Sequence, residues 1–295
     1  MNRREFSKKL ASVGMARAFL QSGVRIVPHA KGFRFSVMLW TLEKQAPFDR
    51  CLEIVAQAGY TGAELVGEPD KWSPEDMRRT MDKMNSLGLV FDSMTGGNVT
   101  LADPAASAAI LRQVTHRIAI AEQLGCRQLI LTSGKRVEGL SPEAQYTAVV
   151  SNLKQVADLA SRHNMEVVIE PIDLNENKLA YLNSVTQAFQ IVHSVGSPSI
   201  KVLYDFYHEQ QAGGDLIDKL EKNIDQIGLV HIADVPGRHE PGTGEIDYTN
   251  IYRKLAELKY DKYIAMEFYP TGDPVASLRA ARRSAQLSER EVTEV

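Results

Sequence analysis

The sequence contains little cysteine and no long hydrophobic run. Its two cysteines, Cys51 and Cys126, lie far apart among 295 residues and form no CxxC pair. A disulfide scaffold, a thiolate metal site and a redox motif are therefore not expected, and both cysteines are interpreted as packing residues. No uninterrupted apolar run of about 18 residues occurs, so the sequence predicts no transmembrane helix.

The chain also lacks a strong excess of either charge. It has 34 Lys and Arg against 37 Asp and Glu, which gives a formal net charge of −3. That balance provides no electrostatic signature of nucleic-acid binding. Hydrophobic residues make up 44% and charged residues 24% of the chain. This profile is typical of a globular protein with a sizeable core and not of a disordered or collagen-like chain.

The first residues resemble an export signal. Residues 2–10 contain paired arginines followed by a hydrophobic residue and lysines, as in a twin-arginine signal. Arg17 and Arg25 interrupt the apolar stretch that should follow. Two interpretations stay open, namely a periplasmic protein exported by the twin-arginine route and a cytoplasmic protein with a basic amphipathic extension. Residues 1–32 are assigned to this extension and residues 33–295 to one domain.

From residue 33 onward, strand-like segments alternate with helical segments whose apolar residues recur at three- and four-residue spacing. Eight such pairs at about 33 residues each predict parallel strands covered by helices, closed into a single-domain α/β fold, the (β/α)8 TIM barrel. A doubly wound nucleotide-binding sheet is disfavoured because no glycine-rich loop follows the first strand. The predicted strands are 33–40, 62–66, 90–94, 128–132, 166–172, 201–207, 229–233 and 263–269.

An ionisable residue lies at the end of each of the last four predicted strands: Glu170, Asp205, His231 and Glu267. Because active sites of such barrels lie at the carboxyl ends of the strands, we expect these side chains to converge. Clustered carboxylates repel one another unless a cation neutralises them. Three carboxylates and one imidazole suit one divalent ion, Mn²⁺, Mg²⁺ or Co²⁺. A salt-bridge network with Arg or Lys is the alternative interpretation.

Such a cluster predicts proton-transfer chemistry. A divalent ion can polarise a ketone and stabilise an enediolate. Glu170 and Glu267 could then remove a proton from one carbon and return one to its neighbour. Such a site could act on a ketone substrate.

Four segments resemble the xylose-isomerase-like sugar isomerase/epimerase superfamily, and within it the hydroxypyruvate isomerases. They are 169–172, 204–208, 231–246 and 266–268, of which the third is a long and unusual loop. The resemblance covers about residues 33–285. It implies a TIM barrel, a hydroxy-keto acid or keto-sugar substrate, and a reaction that converts hydroxypyruvate to tartronate semialdehyde.

The resemblance also assigns roles. It implies that Glu170 and Glu267 are the catalytic pair, and that they bind the metal together with Asp205 and His231, as in ketose 3-epimerases. His208 matches a histidine that contacts substrate, and Arg238 matches a loop arginine that approaches substrate oxygens. Hydroxypyruvate isomerase relatives often carry glutamine where His231 stands. A ketose 3-epimerase, or a sugar or cyclitol isomerase or lyase, therefore stays an open alternative.

Two further substrate-binding candidates are Glu64 and Trp40. Glu64 could face the mouth of the barrel, the barrel interior or a helix end, and Trp40 could form an apolar wall or serve in packing. An endonuclease on this fold would need a multi-zinc cluster with more histidines than this chain's 7 supply near the mouth. A non-catalytic sugar-binding protein would not need both glutamates. Assembly into a homo-oligomer is left open.

Overall fold

The computed structural model describes residues 32–294, which form an eight-stranded barrel surrounded by helices. The extension and the twin-arginine interpretation fall almost wholly on residues 1–31 and so lie outside the described residues. The strands are β1 Arg34–Val37, β2 Gly62–Leu65, β3 Val90–Thr95, β4 Gln128–Thr132, β5 Glu166–Glu170, β6 Ile200–Asp205, β7 Ile227–Ile232 and β8 Tyr263–Met266. The helices of this part are α1 Phe48–Gln57, α2 Pro74–Leu87, α3 Ser107–Leu124, α4 Pro142–Arg162, α5 Val185–Val195, α6 Phe206–Ala212, α7 Leu216–Asn223, α8 Tyr248–Glu257 and α9 Pro274–Thr293.

The strands are all parallel, in the order β1-β8-β7-β6-β5-β4-β3-β2. A parallel bridge between Met38 and Glu64 joins the two end strands and completes the ring. The predicted TIM barrel is confirmed. Among residues 32–294, no helix combines the length and the apolar character needed to cross a membrane.

Local sequence explains where several helices begin and end. Ser73 precedes α2 and its Oγ accepts a hydrogen bond from Asp76 N at 3.1 Å, while Ser141 Oγ accepts from Ala144 N at 3.2 Å before α4. Each serine is followed by a proline, whose missing N–H is not needed at the first helical position. Helix α2 ends at Gly88, which adopts a left-handed φ of 68° that favours glycine.

Strand β6 ends earlier than predicted, because Asp205 begins a helix. Its Oδ1 accepts hydrogen bonds from Tyr207 N at 2.7 Å and from His208 N at 3.4 Å. These contacts cap α6, a short helix that the sequence analysis interpreted as the end of a strand. An aspartate at a helix N-terminus satisfies N–H groups that have no partner within the helix. His208 is thereby placed one turn above Asp205.

The barrel interior contains a layer of apolar side chains directly beneath the predicted site. This layer consists of Met38, Ile130, Val168, Leu203, Leu229 and Ala265. Side chains two residues apart on a strand point to the same face. Four layer residues stand two positions before the four predicted ligands. Because side-chain direction alternates along a strand, the ligand side chains also point into the barrel, at its carboxyl end.

Candidate active site

The structure brings the four strand-end residues together at the carboxyl end of the barrel. One potential ligand atom from each lies within 4.8 Å of the others, and all four residues are buried. They are Glu170, Asp205, His231 and Glu267. Each comes from a different strand of the second half of the chain, as the sequence analysis predicted.

The donor set fits a divalent ion. His231 Nδ1 lies 2.9 Å from Glu267 Oε2 and 4.0 Å from Glu170 Oε1. The Oδ2 atom of Asp205 is buried and accepts no hydrogen bond from any described residue. Buried polar atoms are rarely left unsatisfied, and a cation with oxygen and nitrogen ligands would satisfy this one.

The two glutamates have opposite electrostatic environments. Burial and the nearby Glu267 raise the pKa of Glu170 to about 8. Burial also opposes ionisation of Glu267, but the charges of Arg238 and His231 outweigh it and hold the pKa of Glu267 well below its usual range. Two carboxyl groups whose pKa values are driven apart are suited to different roles in acid–base chemistry.

Trp40 and Arg238 both hold Glu267. Trp40 Nε1 donates a hydrogen bond to Glu267 Oε1 at 3.0 Å, and Arg238 Nη2 donates to Oε2 at 2.7 Å. The guanidinium group lies over the Trp40 ring at 5.3 Å and over the Tyr207 ring at 4.9 Å. Its Nη1 donates to Glu176 Oε2 at 2.8 Å. Trp40 therefore orients a carboxylate in addition to offering an aromatic face, and Glu176 is a partner that sequence reasoning missed.

His208 is held by Asp173, another residue that the sequence analysis did not identify. His208 Nδ1 and Asp173 Oδ2 are 2.7 Å apart, while His208 Nε2 lies 3.6 Å from Asp205 Oδ2. Burial opposes the charged imidazole, but Asp205 and Asp173 raise the pKa of His208 to about 9. The two aspartates therefore favour the charged form of His208, whose Nε2 faces the site. The position of Asp173, just beyond β5, is the one sequence signal that could have revealed it.

Glu64 lies beneath the cluster and not at the open mouth. Its side chain is fully buried, and Oε2 is 2.9 Å from His231 Nε2. Of the three locations considered from sequence, the structure shows the barrel interior. In this position Glu64 does not reach the mouth of the barrel, where a substrate would bind.

The loop from 234 to 247 folds around the carboxylate of Asp234. Asp234 is fully buried and accepts four hydrogen bonds from backbone N–H groups of its own loop. A Cβ at Gly244 would lie 2.0 Å from Val235 O, so this position requires glycine. Arg238 N donates to Asp234 O at 3.1 Å. The internal hydrogen bonds thus set the point from which Arg238 reaches Glu267.

We expect Asp234→Asn to loosen this loop, because the amide nitrogen would face N–H donors. Charge-assisted hydrogen bonds contribute about 1.5–3 kcal/mol each, so kcat/KM should fall roughly 10- to 100-fold. Limited proteolysis should also cleave the variant faster within 234–247. The control is Asp247→Asn, since among the described residues the Asp247 carboxylate accepts from a single backbone N–H, that of Asn250 at 3.2 Å. Equal proteolysis and equal kinetics in the two variants would contradict the prediction.

Fold and site together define a class: a (β/α)8 enzyme scaffold with acids and imidazoles gathered at the catalytic end of the strands. A family model described as xylose isomerase-like TIM barrel matches residues 52–289. The chain belongs to this family, and the sequence resemblance to the isomerase/epimerase superfamily is confirmed.

Similar proteins are known from several organisms. Hydroxypyruvate isomerase of Escherichia coli K12 is 28% identical over 252 residues, which cover 83% of this chain and 97% of that protein. The 2-oxo-tetronate isomerase of Haemophilus influenzae is 27% identical over 251 residues, covering 83% and 96%. A Brucella melitensis structure described as AP endonuclease, family 2, has a TM-score of 0.75 at 26% identity, covering 84% of this chain and 97% of that one. The prediction of an isomerase-type enzyme is confirmed at this level.

Proposed function

We propose that this protein is a divalent-metal-dependent isomerase that acts on a small 2-oxo acid with a neighbouring hydroxyl group, with hydroxypyruvate as the first candidate. The observation that carries the proposal is the set Glu170, Asp205, His231 and Glu267, whose ligand atoms lie within 4.8 Å of one another. These four residues would hold the ion. When bound, a divalent ion supplies Lewis-acid polarisation of the substrate carbonyl.

The protein's own groups supply the proton transfers. One of the two glutamates removes a proton from the carbon next to the carbonyl, and the other returns a proton to the neighbouring carbon. Arg238 and His231 favour the ionised form of Glu267, whereas burial and the nearby Glu267 raise the pKa of Glu170. General acid–base catalysis accounts for about 10²–10⁴-fold, or roughly 3–5 kcal/mol. Enzymes lower the activation barrier by about 8 kcal/mol or more, so electrostatic stabilisation of the enediolate must supply the remainder.

Cationic side chains around the site can stabilise the enediolate. His208 is 2% exposed and Arg238 is 7% exposed, so both charges act in a largely water-excluded setting. Charge interactions are stronger there than in bulk water. His208 Nε2 can donate to a substrate oxygen, while Asp173 holds the ring in place from the other side.

Two arguments favour a carboxylate-bearing substrate. Two relatives that each match 83% of this chain are named for hydroxypyruvate and for 2-oxo-tetronate, both of which are 2-oxo acids. Arg238 offers a planar fork, and its partner Glu176 has a half-exposed side chain that a substrate carboxylate could displace. A ketose 3-epimerase is the second candidate, because His231 stands in the cluster where the resemblance places the epimerase ligand.

The test is a panel of 2-oxo acids and ketoses incubated with metal-loaded protein in deuterated water. We expect hydroxypyruvate to give tartronate semialdehyde with deuterium on the carbon next to a carbonyl. Exchange only with ketoses would select the epimerase instead. Absence of exchange and conversion across the whole panel would contradict the proposed chemistry.

Arg238→Lys should separate the two substrate classes. Lysine cannot reproduce bidentate binding, so KM for hydroxypyruvate should rise roughly 10- to 100-fold, which corresponds to about 1.5–3 kcal/mol. For a neutral ketose the loss should be smaller and divided between KM and kcat. Arg253→Lys is the matched control, since Arg253 pairs with Glu291 on the surface. If Arg238→Lys left KM and kcat unchanged on every active substrate, Arg238 would have only a structural role.

A further inference from the structure

Glu64 is a fully buried acid to which the mechanism above gives no task. It stands at the end of β2 and reaches across the barrel to His231 on β7, with Oε2 at 2.9 Å from Nε2. The contact has ion-pair distance without the alignment of a hydrogen bond, and neither oxygen of Glu64 has a hydrogen-bond partner among the described residues. A buried carboxylate without a partner costs several kcal/mol, so this contact with His231 requires an explanation.

The two nitrogens of His231 face different groups. Nδ1 faces the ligand cluster, with Glu267 Oε2 at 2.9 Å and Glu170 Oε1 at 4.0 Å, whereas Nε2 faces Glu64. Because ring nitrogens point in different directions, an ion held at Nδ1 is out of reach of Glu64. In a neutral imidazole with Nδ1 as ligand, the proton must remain on Nε2.

The backbone fixes Glu64 in this position. The parallel bridge between Met38 and Glu64 closes the barrel, and the strand register on the other side pairs Glu64 with Ser93. The register between β2 and β3 shifts between Ala63 and Glu64. Such irregularities redirect a side chain at the rim of a barrel. The side chain of Glu64 therefore points into the barrel from the place where β1 and β2 meet.

We propose that Glu64 is a positioning residue that holds the His231 proton on Nε2 and presents Nδ1 to the divalent ion. The inference rests on the proposed function, because it concerns the same ion site. Carboxylates behind a ligating histidine fix its tautomer and orientation, and losing one costs about 10- to 100-fold in metal affinity. Glu64 acts through His231 and does not contact substrate, since its carboxylate is sealed beneath the cluster.

The experiment compares Glu64→Gln and Glu64→Leu in the full chain by calorimetric titration with Mn²⁺. Glutamine keeps an acceptor oxygen of nearly the same size, so its Kd should rise about 10-fold, whereas leucine should raise it about 100-fold. In Mg²⁺-loaded protein, NMR should show a slowly exchanging Nε2–H signal of His231 that the leucine variant loses. Glu166→Gln is the matched control, because Glu166 lies at the opposite end of β5 from the ligand cluster and accepts from Gln128 at 2.8 Å. Its Kd should stay unchanged.

The outcomes separate this inference from the proposed function. If the wild-type chain binds one Mn²⁺ and both Glu64 variants bind it with unchanged Kd, Glu64 is only a structural residue and the ion site stands. If the wild-type chain binds no Mn²⁺, the metal-dependent function and the role of Glu64 both fall. Circular dichroism shows whether the leucine variant folds. If it does not fold, the Kd of the nearly isosteric glutamine variant for Mn²⁺ decides between the two roles of Glu64.

Discussion

Glu170→Gln is expected to lower kcat by at least about 10²-fold while the fold remains intact. The amide has nearly the same size as the carboxyl group but can neither accept nor deliver the transferred proton. His231 Nδ1 lies 4.0 Å from Glu170 Oε1, too far for a hydrogen bond, so the substitution breaks none with this neighbour. Steady-state kinetics together with thermal unfolding would measure both parts of the expectation.

Glu267→Gln should cause a loss of at least the same size. Its Oε2 accepts from Arg238 and its Oε1 accepts from Trp40, so an amide nitrogen at either position would oppose a donor. Because both glutamates act on one proton transfer, the double variant should lose little more than the worse single variant.

Glu166→Gln is the matched control for both glutamates. Glu166 lies at the opposite end of β5 and accepts from Gln128 at 2.8 Å, away from the ligand cluster. We expect it to keep its turnover. Near wild-type turnover in either Glu170→Gln or Glu267→Gln would remove that residue from the mechanism.

Chelation of divalent ions should abolish turnover and lower Tm, and Mn²⁺, Mg²⁺ or Co²⁺ should restore both. An ion that binds only the folded protein stabilises it by about 2.7 kcal/mol when its concentration is 100 times Kd. Asp205→Asn should remove this metal-dependent shift in Tm, while its amide oxygen can still accept at the start of α6. Full activity in protein shown by elemental analysis to contain no divalent metal would contradict the prediction.

The same site predicts that metal affinity increases with pH. Burial opposes a charged His231, but Glu64 and Glu267 raise its pKa well above the usual range. An ion that binds Nδ1 must displace a proton, and this displacement becomes easier as the pH rises. Titrations at several pH values should therefore show a falling Kd and proton release on binding. A Kd independent of pH would exclude His231 as a ligand.

The strand-end residues could be predicted from sequence because their placement depends on local rules. Val168 and Glu170, or Leu203 and Asp205, are separated by two positions on a strand, so a buried apolar residue predicts the direction of the acid that follows. Parallel strands then bring such residues to one end of the barrel. No knowledge of distant contacts is needed for that step.

Other features depend on contacts between distant parts of the chain. Asp173 meets His208 and Glu64 meets His231 only because separate strands and loops pack together. A carboxylate has the same appearance in sequence whether it binds a metal, supports a histidine or faces water. Trp40 was placed at the site from sequence, but its hydrogen bond to Glu267 requires the closure of β1 against β8.

The hydrogen bonds of Asp234 organise the loop above the site around one of its own residues. All four N–H groups that its carboxylate accepts belong to residues of the same loop, from Val235 to Ile246. The turns around Asp234 are thus specified within the loop, whereas the acids below are specified by the strands. A loop built around one of its own residues can be replaced without changing the strands that place the acids. Loop grafting between this chain and its isomerase relatives is the corresponding route for protein engineering.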